Sequence, residues 1–588
     1  MEETIMASVA IAIGAFAAYF VAYHTYGKFI ARRLFQIRDD RPTPAHKFND
    51  GVDFVPTRAE VLFGHHFTSI AGTGPIVGPA LAIIWGWLPA LLWVVFGSIF
   101  MGAVHDFSTM IVSSRFGGRS IGDVARDVVN ARVRFLFLLI IFFVVLIVIA
   151  VFCMVIASLF ALYPASIIPV WISLPIAMLV GTAVYKGRVN PLGPSIIAVL
   201  TIYALILACG FMDMGEMGRA LFGWAPTTPL IAWSVVLLIY AFAASVLPVW
   251  RLLQPRDYIN GHVLFVSLGL LMLGAVVARP DLVAPALDTR PEGAPPMWPM
   301  LFVVVACGAI SGFHSLVSSG TSSKQLDRER HALPIGFGGM LLEGMLAVMV
   351  IIAVGAGIGM ARGGGALEGV AAWQARYSSW GAATAMKSSV GAFVDGSANM
   401  LSALGIPLKI GASLMAVFVA SFAATTLDTA TRLQRYVVAE LGQAVHFEPL
   451  TNKYVATGVA VTTAGALALM KGPQGYGTGG LVLWPLFGSA NQLLACLALL
   501  VVTVYLKRRG KPVVYTLIPM LFMLVMTGWA MVYNVQEFMS KGKTLLYMIS
   551  GAIMLLEAWM VVESFIILFG SSRGALLEDD ERAAPQEA

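Results

Sequence analysis

Apolar residues run along this chain in long unbroken blocks, with no sign of the polar stripe that a water-facing helix carries. A bilayer's hydrocarbon core is crossed by about 20 apolar residues in a helix. Blocks of that size predict about fifteen crossings, centred near residues 17, 76, 101, 148, 174, 202, 238, 268, 311, 347, 418, 462, 493, 522 and 558. The fold class is therefore an all-α polytopic membrane protein with about fifteen or more transmembrane helices. Its first block, 5–30, is too long for a signal-peptide core and follows Glu2 and Glu3, so it reads as a retained helix. Residues 390–404 are apolar but too short to span, which predicts a re-entrant or interfacial segment. Long connections are expected at 279–299, rich in proline, and at 363–407. A single membrane domain over 1–573 would end in a disordered acidic tail at 574–588.

Composition strengthens this picture. Of 588 residues 58% are hydrophobic and 12% charged, and the mean hydropathy of +0.82 excludes a soluble fold, which needs polar surface. The net charge of +6 carries no nucleic-acid signal, because the basic residues fall in short clusters between apolar blocks. Lys28, Arg32 and Arg33 form one, followed by Arg115 and Arg119, Arg251 and Arg256, Lys324 and Arg328, Arg432 and Arg435, Lys507 to Arg509, and Arg573. These occupy alternate connections, so the positive-inside rule places the N-terminus in the periplasm and the C-terminus in the cytoplasm of a bacterial inner membrane. Membrane lipid is the implied surroundings. The four cysteines lie in apolar blocks without CxxC spacing and read as core.

One internal similarity appears. Residues 64–73 align without gaps to 312–321, matching Gly64 with Gly312, His66 with His314, Gly72 with Gly320 and Thr73 with Thr321. The copies fall in the second and ninth predicted crossings, which run in opposite directions, so an inverted repeat is expected, one half around 50–260 and the other around 299–505. Glycine and proline around Gly72, and the glycine at Gly320, predict broken helices near the membrane middle. Their freed backbone groups must line a shared cavity.

A charge inside a membrane costs about 2.5–3.5 kcal/mol on insertion scales, so each one calls for a reason. Asp106 beside His105, Glu343 and Asp428 are such acids. Thr425 and Thr426 add hydroxyls, and Asn491 and Gln492 interrupt a late crossing. Candidate substrate- or ion-binding residues are His65, His66, Gly72, Thr73, Asp106, His314, Ser318, Ser319, Thr321, Glu343, Thr425, Thr426, Asp428, Asn491 and Gln492. The structural alternatives are topology anchoring for Asp106 and Asp428, helix back-bonding for the hydroxyls and interhelical bonding for Asn491 and Gln492. Glu563 reads as structural. Oxygen ligands near Gly72, Thr425 and Thr426 suit a hard cation, and Glu343 and the histidines suit a proton, so H+ and Na+ both stand as coupling ions. His65, His66, His105 and Asp106 also raise a metal site, but adjacent histidines diverge by about 100° on a helix and no HExxH is present. No metal or other cofactor is expected. P-loop, dinucleotide and nucleophile-elbow motifs are absent, which leaves secondary transport.

Several blocks resemble the carbon starvation protein A family: 52–57, 64–79, 306–314, 317–321, 425–435 with Thr425-Thr426-Leu427-Asp428, and 484–492 with Asn491-Gln492. The resemblance implies an inner-membrane transporter tied to starvation, carrying short peptides in some members and pyruvate with protons or ions in others. It also implies the inverted-repeat core of the amino acid, polyamine and organocation superfamily, as in LeuT. Two departures stand out: the repeat copies are seven crossings apart instead of five, and His105 does not belong to the family pattern. An importer of short peptides is the leading reading, with a pyruvate/proton symporter second. A membrane-embedded metalloenzyme and a nutrient sensor are the rivals from other classes.

Overall fold

The computed structural model describes residues 7–212, 228–360, 367–472 and 475–569. The tail expected at 574–588 and the basic residue Arg573 lie outside these. Apart from a two-stranded antiparallel hairpin, Lys471–Gly472 with Gly475–Tyr476, the regular structure is helical. The helices that position the site are α1 (Ser8–Leu34), α2 (Ala59–Ile70), α3 (Gly74–Trp85), α4 (Trp87–Arg115), α5 (Ala131–Leu162) and α6 (Leu253–Ala278). They are followed by α7 (Met297–Val304), α8 (Gly312–Val317), α9 (Glu329–Gly359), α10 (Leu408–Ala444), α11 (Val482–Arg508) and α12 (Thr544–Phe569).

Eleven helices among the described residues are long and apolar enough to cross a membrane, and twelve if the bent pair α2–α3 counts as one span. The expected fifteen is not reached by this count of the described residues. The other predicted centres fall on shorter pieces: Leu230–Val246, Lys453–Ala468, and α7 with α8, which are separate short helices. Block length in the sequence does not reveal where a helix stops short. The segment expected at 390–404 is a helix, Val390–Ser402, buried within the bundle.

The centre is built by α5 and α10. Between Phe135 and Cys153 helix α5 has only apolar side chains, so it can be enclosed on all sides; Asn130 starts it by accepting a hydrogen bond from Val133 N at 2.8 Å. Helix α6 lies against α2 at glycine-width distance. A Cβ on Gly64 would sit 3.1 Å from Tyr258 Cα, and one on Gly261 3.5 Å from Gly64 Cα.

Two helices break inside the bundle. Between α2 and α3 the chain bends by 44° at 71–73, where Gly72 fits because a Cβ there would lie 2.3 Å from Thr426 Oγ1. The second break is not at Gly320, as expected, but at 305–311, ahead of α8. Gly320 sits in a π-helical turn, Ser318–Ser322, continuous with α8. The similar blocks 64–73 and 312–321 therefore lie on opposite sides of their breaks, one before and one after. Freed backbone groups at the second break are met by side chains: Asn491 Oδ1 accepts from Phe313 N at 2.9 Å, Gln492 Nε2 donates to Phe302 O at 3.0 Å, and Trp93 Nε1 donates to Val305 O at 3.0 Å.

Candidate functional site

Consecutive histidines near the middle of α2 point apart, as helical geometry requires, and each enters a different buried cluster. His65 Nδ1 lies 2.6 Å from Asp257 Oδ2, and its Nε2 3.1 Å from Thr321 Oγ1. Asp257 Oδ1 accepts from Arg256 Nε at 2.9 Å and Nη2 at 2.6 Å. The far edge of the same guanidinium reaches Asp428, through Nη1 to Oδ2 and through Nη2 to Oδ1 at 3.2 Å. Tyr240 OH donates to Asp428 Oδ2 at 2.6 Å. Gln325 Nε2 donates to Thr321 Oγ1 at 2.8 Å, and Gln254 Nε2 to Gln325 Oε1 at 2.6 Å, which extends the network.

His66 faces the other way. Its Nδ1 is 2.8 Å from Ser322 Oγ, and Gly339 on α9 approaches its ring, with a Cβ there only 3.3 Å from Cδ2. Beyond it runs a line of four side chains. His105 Nδ1 is 2.8 Å from Asp106 Oδ1, Asp106 Oδ2 is 3.0 Å from His314 Nδ1, and His314 Nε2 is 3.4 Å from Glu343 Oε2. All four are fully buried. Both Glu343 oxygens and the Nε2 atoms of His66, His105 and His314 have no hydrogen-bond partner among the described residues.

The structure thus brings His65 and Thr321 together with Asp428 in one cluster, and Asp106, His314 and Glu343 in another beside His66. Gly72 packs on Thr426, whose Oγ1 donates to Ser69 O at 3.2 Å; Thr425 Oγ1 donates to Ser421 O at 2.9 Å and accepts from Asn260 Nδ2 at 3.2 Å. Ser319 Oγ donates to Ser315 O and accepts from Ile121 N, and Asn491 and Gln492 serve the second break. The Thr73 and Ser318 hydroxyls are buried without partners among the described residues.

Arg256, Asp257, Tyr240, Asn260 and Ser322 were missed by sequence reasoning. Arg256 was read as a connection residue, as were Arg432 and Arg435; all three lie in helices and are buried. The signal in the sequence was Asp257 directly after Arg256, with Asn260 three residues on, leading into an apolar run. Glu563 accepts from Asn130 Nδ2 at 3.0 Å.

Each end of the bundle is tied by an ion pair. At the basic end Asp53 receives Arg432 Nη1 at 2.7 Å and Arg435 Nη2 at 3.2 Å. Burial opposes the charge on Asp53, but Arg432 and Arg435 prevail and hold its carboxyl down at about 2. At the other end Asp395 receives Arg376 Nη2 at 2.6 Å and Tyr163 OH at 3.3 Å.

Residues 7–530 match the family model described as carbon starvation protein CstA. The chain belongs to the carbon starvation protein CstA family. It is 35% identical to the peptide transporter CstA of Campylobacter jejuni over 92% of this chain and 82% of that one. It is 32% identical both to the peptide transporter CstA and to the pyruvate/proton symporter BtsT of Escherichia coli, each over 89% of this chain and 81% of the relative. This multi-span membrane protein is thus a family transporter, and its relatives carry the names of transporters, not of enzymes. A mutant manganese transporter of Eremococcus coleocola covers 88% of the chain at 13% identity, but its TM-score of 0.43 is too low to carry an argument about the core architecture.

Proposed function

We propose that this chain is a secondary active importer of short peptides, driven by protons, in the inner membrane with its basic end in the cytoplasm. The observation that carries this reading is the charge balance of the two clusters. Asp106, Asp257, Asp428 and Glu343 are four buried carboxylates, and Arg256 is the one guanidinium among them. A surplus of buried negative charge is costly until cations or protons enter. Protons entering would neutralise carboxylates directly, and a peptide brings an ammonium group, whereas an anion alone would deepen the imbalance.

Protons are favoured over Na+ because Gly72 packs so closely on Thr426 that a Cβ there would lie 2.3 Å from its Oγ1, and Thr425 Oγ1 already accepts from Asn260 Nδ2. The candidate site residues act, on this reading, in two groups: His66, Asp106, His314 and Glu343 accept the coupling proton, and the Arg256 cluster holds the frame against which they move. A role in scavenging under carbon starvation is part of this proposal, supported by the family description alone.

The second reading, a pyruvate/proton symporter, is favoured by the equal identity to BtsT; protons entering with pyruvate would neutralise the anion. Uptake of labelled dipeptide and of labelled pyruvate into proteoliposomes decides between them. Dipeptide accumulation that rises with an inward proton gradient is expected. Accumulation of pyruvate alone would replace the first reading with the second, and uptake indifferent to the proton gradient would remove proton coupling.

A further inference from the structure

At the basic end a groove of about 710 Å³ opens between the start of α5, the end of α10 and the flank of α12. Its rim carries Arg126, Arg132, Arg134 and His446, and among the described residues that line it there is no carboxylate, although Glu563 lies just behind Arg132. Arg134 is engaged, with Nε 2.6 Å from Asp123 Oδ1. Arg132 is 78% exposed and only 3.7 Å from Glu563 at the nearest, and Arg126 has no ion pair among the described residues. The groove therefore presents a surplus of guanidinium charge. Its wall is of another kind. Phe135 and Trp559 line it and are 37% and 54% exposed, and the apolar surface continues along α12 through Leu555, Val562 and Ile566, all exposed.

We propose that this groove is a binding site for an anionic phospholipid, with the phosphodiester between Arg126 and Arg132 and an acyl chain laid along Phe135, Trp559 and the outer face of α12. Guanidinium is the cation that pairs phosphate oxygens in bidentate fashion. A soluble anion would use the rim but gain nothing from the apolar wall, whereas a lipid uses both, and basic pockets between membrane helices are the general form of headgroup sites. Glu563, the acid at this edge, is already shared among Arg132, Trp559 and Asn130, so the ammonium of a zwitterionic headgroup would meet chiefly the guanidinium charge of Arg126 and Arg132. Trp559 has the amphipathic character of residues that settle at the headgroup level.

The test is native mass spectrometry of the full chain released from nanodiscs holding equal phosphatidylglycerol and phosphatidylcholine of matched acyl chains. Phosphatidylglycerol adducts should dominate, and Arg126→Gln should lower them about five-fold, with a similar further loss on adding Arg132→Gln. Arg126→Gln strands no acid, so its melting temperature should match the parent and separate lost binding from lost folding. Trp559→Ala should weaken phosphatidylglycerol retention without altering the preference for it. Equal retention of the two lipids, or unchanged adducts in the double arginine variant, would overturn the site. Removal of the lipid by millimolar inorganic phosphate would show a soluble-anion site instead, which also overturns the proposal.

Discussion

The two buried clusters hang from neighbouring residues of one helix, His65 and His66, yet they are completed in different ways. Around Arg256 the polar atoms are used up: the guanidinium bonds Asp257, Asp428 and Tyr240, and both carboxylates receive it together with His65 or the tyrosine. Around Glu343 they are not. Its carboxylate has only the His314 ring at 3.4 Å, and three imidazole nitrogens nearby stay unpaired. A buried polar group without a partner is unfavourable by about 1–3 kcal/mol, so the Glu343 side stores a demand that the Arg256 side has already met. On the proposed reading the comparison separates a strut from a proton receptor: the first has its partners in place, and the second has buried polar atoms left to satisfy.

The largest effect that would test this contrast is Arg256→Gln. It leaves Asp257 and Asp428 facing each other without a cation, a loss of about 3–5 kcal/mol for a broken buried pair. Thermal unfolding in detergent should show a large fall or no folded protein at all. A variant as stable as the parent would end the strut assignment. Glu343→Gln should do the opposite, keeping the melting temperature within a few degrees while proton-driven uptake falls by more than ten-fold and counterflow exchange persists. Unchanged proton-driven uptake in a folded Glu343→Gln protein would end the receptor assignment.

The smallest effect extends the strut logic to the solvent edge. Asp53 is held at about 2 by Arg432 and Arg435, below the ordinary carboxylate value, so its pairing stabilises the fold fully above pH 4 and is lost as the pH falls through about 2. The contribution is about 2 kcal/mol. Melting curves between pH 6 and pH 2.5 should show this loss in the parent and a flatter profile in Asp53→Asn; identical profiles would remove Asp53 from the list of struts.

Much of this was legible before any coordinates. Asp106, His314, Glu343 and Asp428 stand out because charge inside an apolar block is costly, and the break at Gly72 is announced by Gly72, Gly74 and Pro75. The partners were not legible. Asp428 lies near Arg432 in sequence, but α10 turns the two to different neighbours, Arg256 and Asp53. Arg256 itself looked like a flanking charge because hydropathy measures composition, not the helix that will cover it. The second break was misplaced for a related reason: Gly320 looks like a breaker, but the π turn absorbs it, and the chain opens earlier, where Asn491 and Gln492 from a distant helix can serve the freed groups.

The Arg256 strut also bears on how the chain is made. Asp428 lies 172 positions downstream of Arg256, so α6 leaves the ribosome and meets the translocon long before α10 exists. A lone arginine entering lipid at that moment would be unfavourable. Asp257, emerging as the next residue and bonding two of its nitrogens, makes the pair nearly neutral from the moment of synthesis. Helix α6 can then wait in the membrane as a half-finished joint, to be locked when α10 arrives with the second carboxylate.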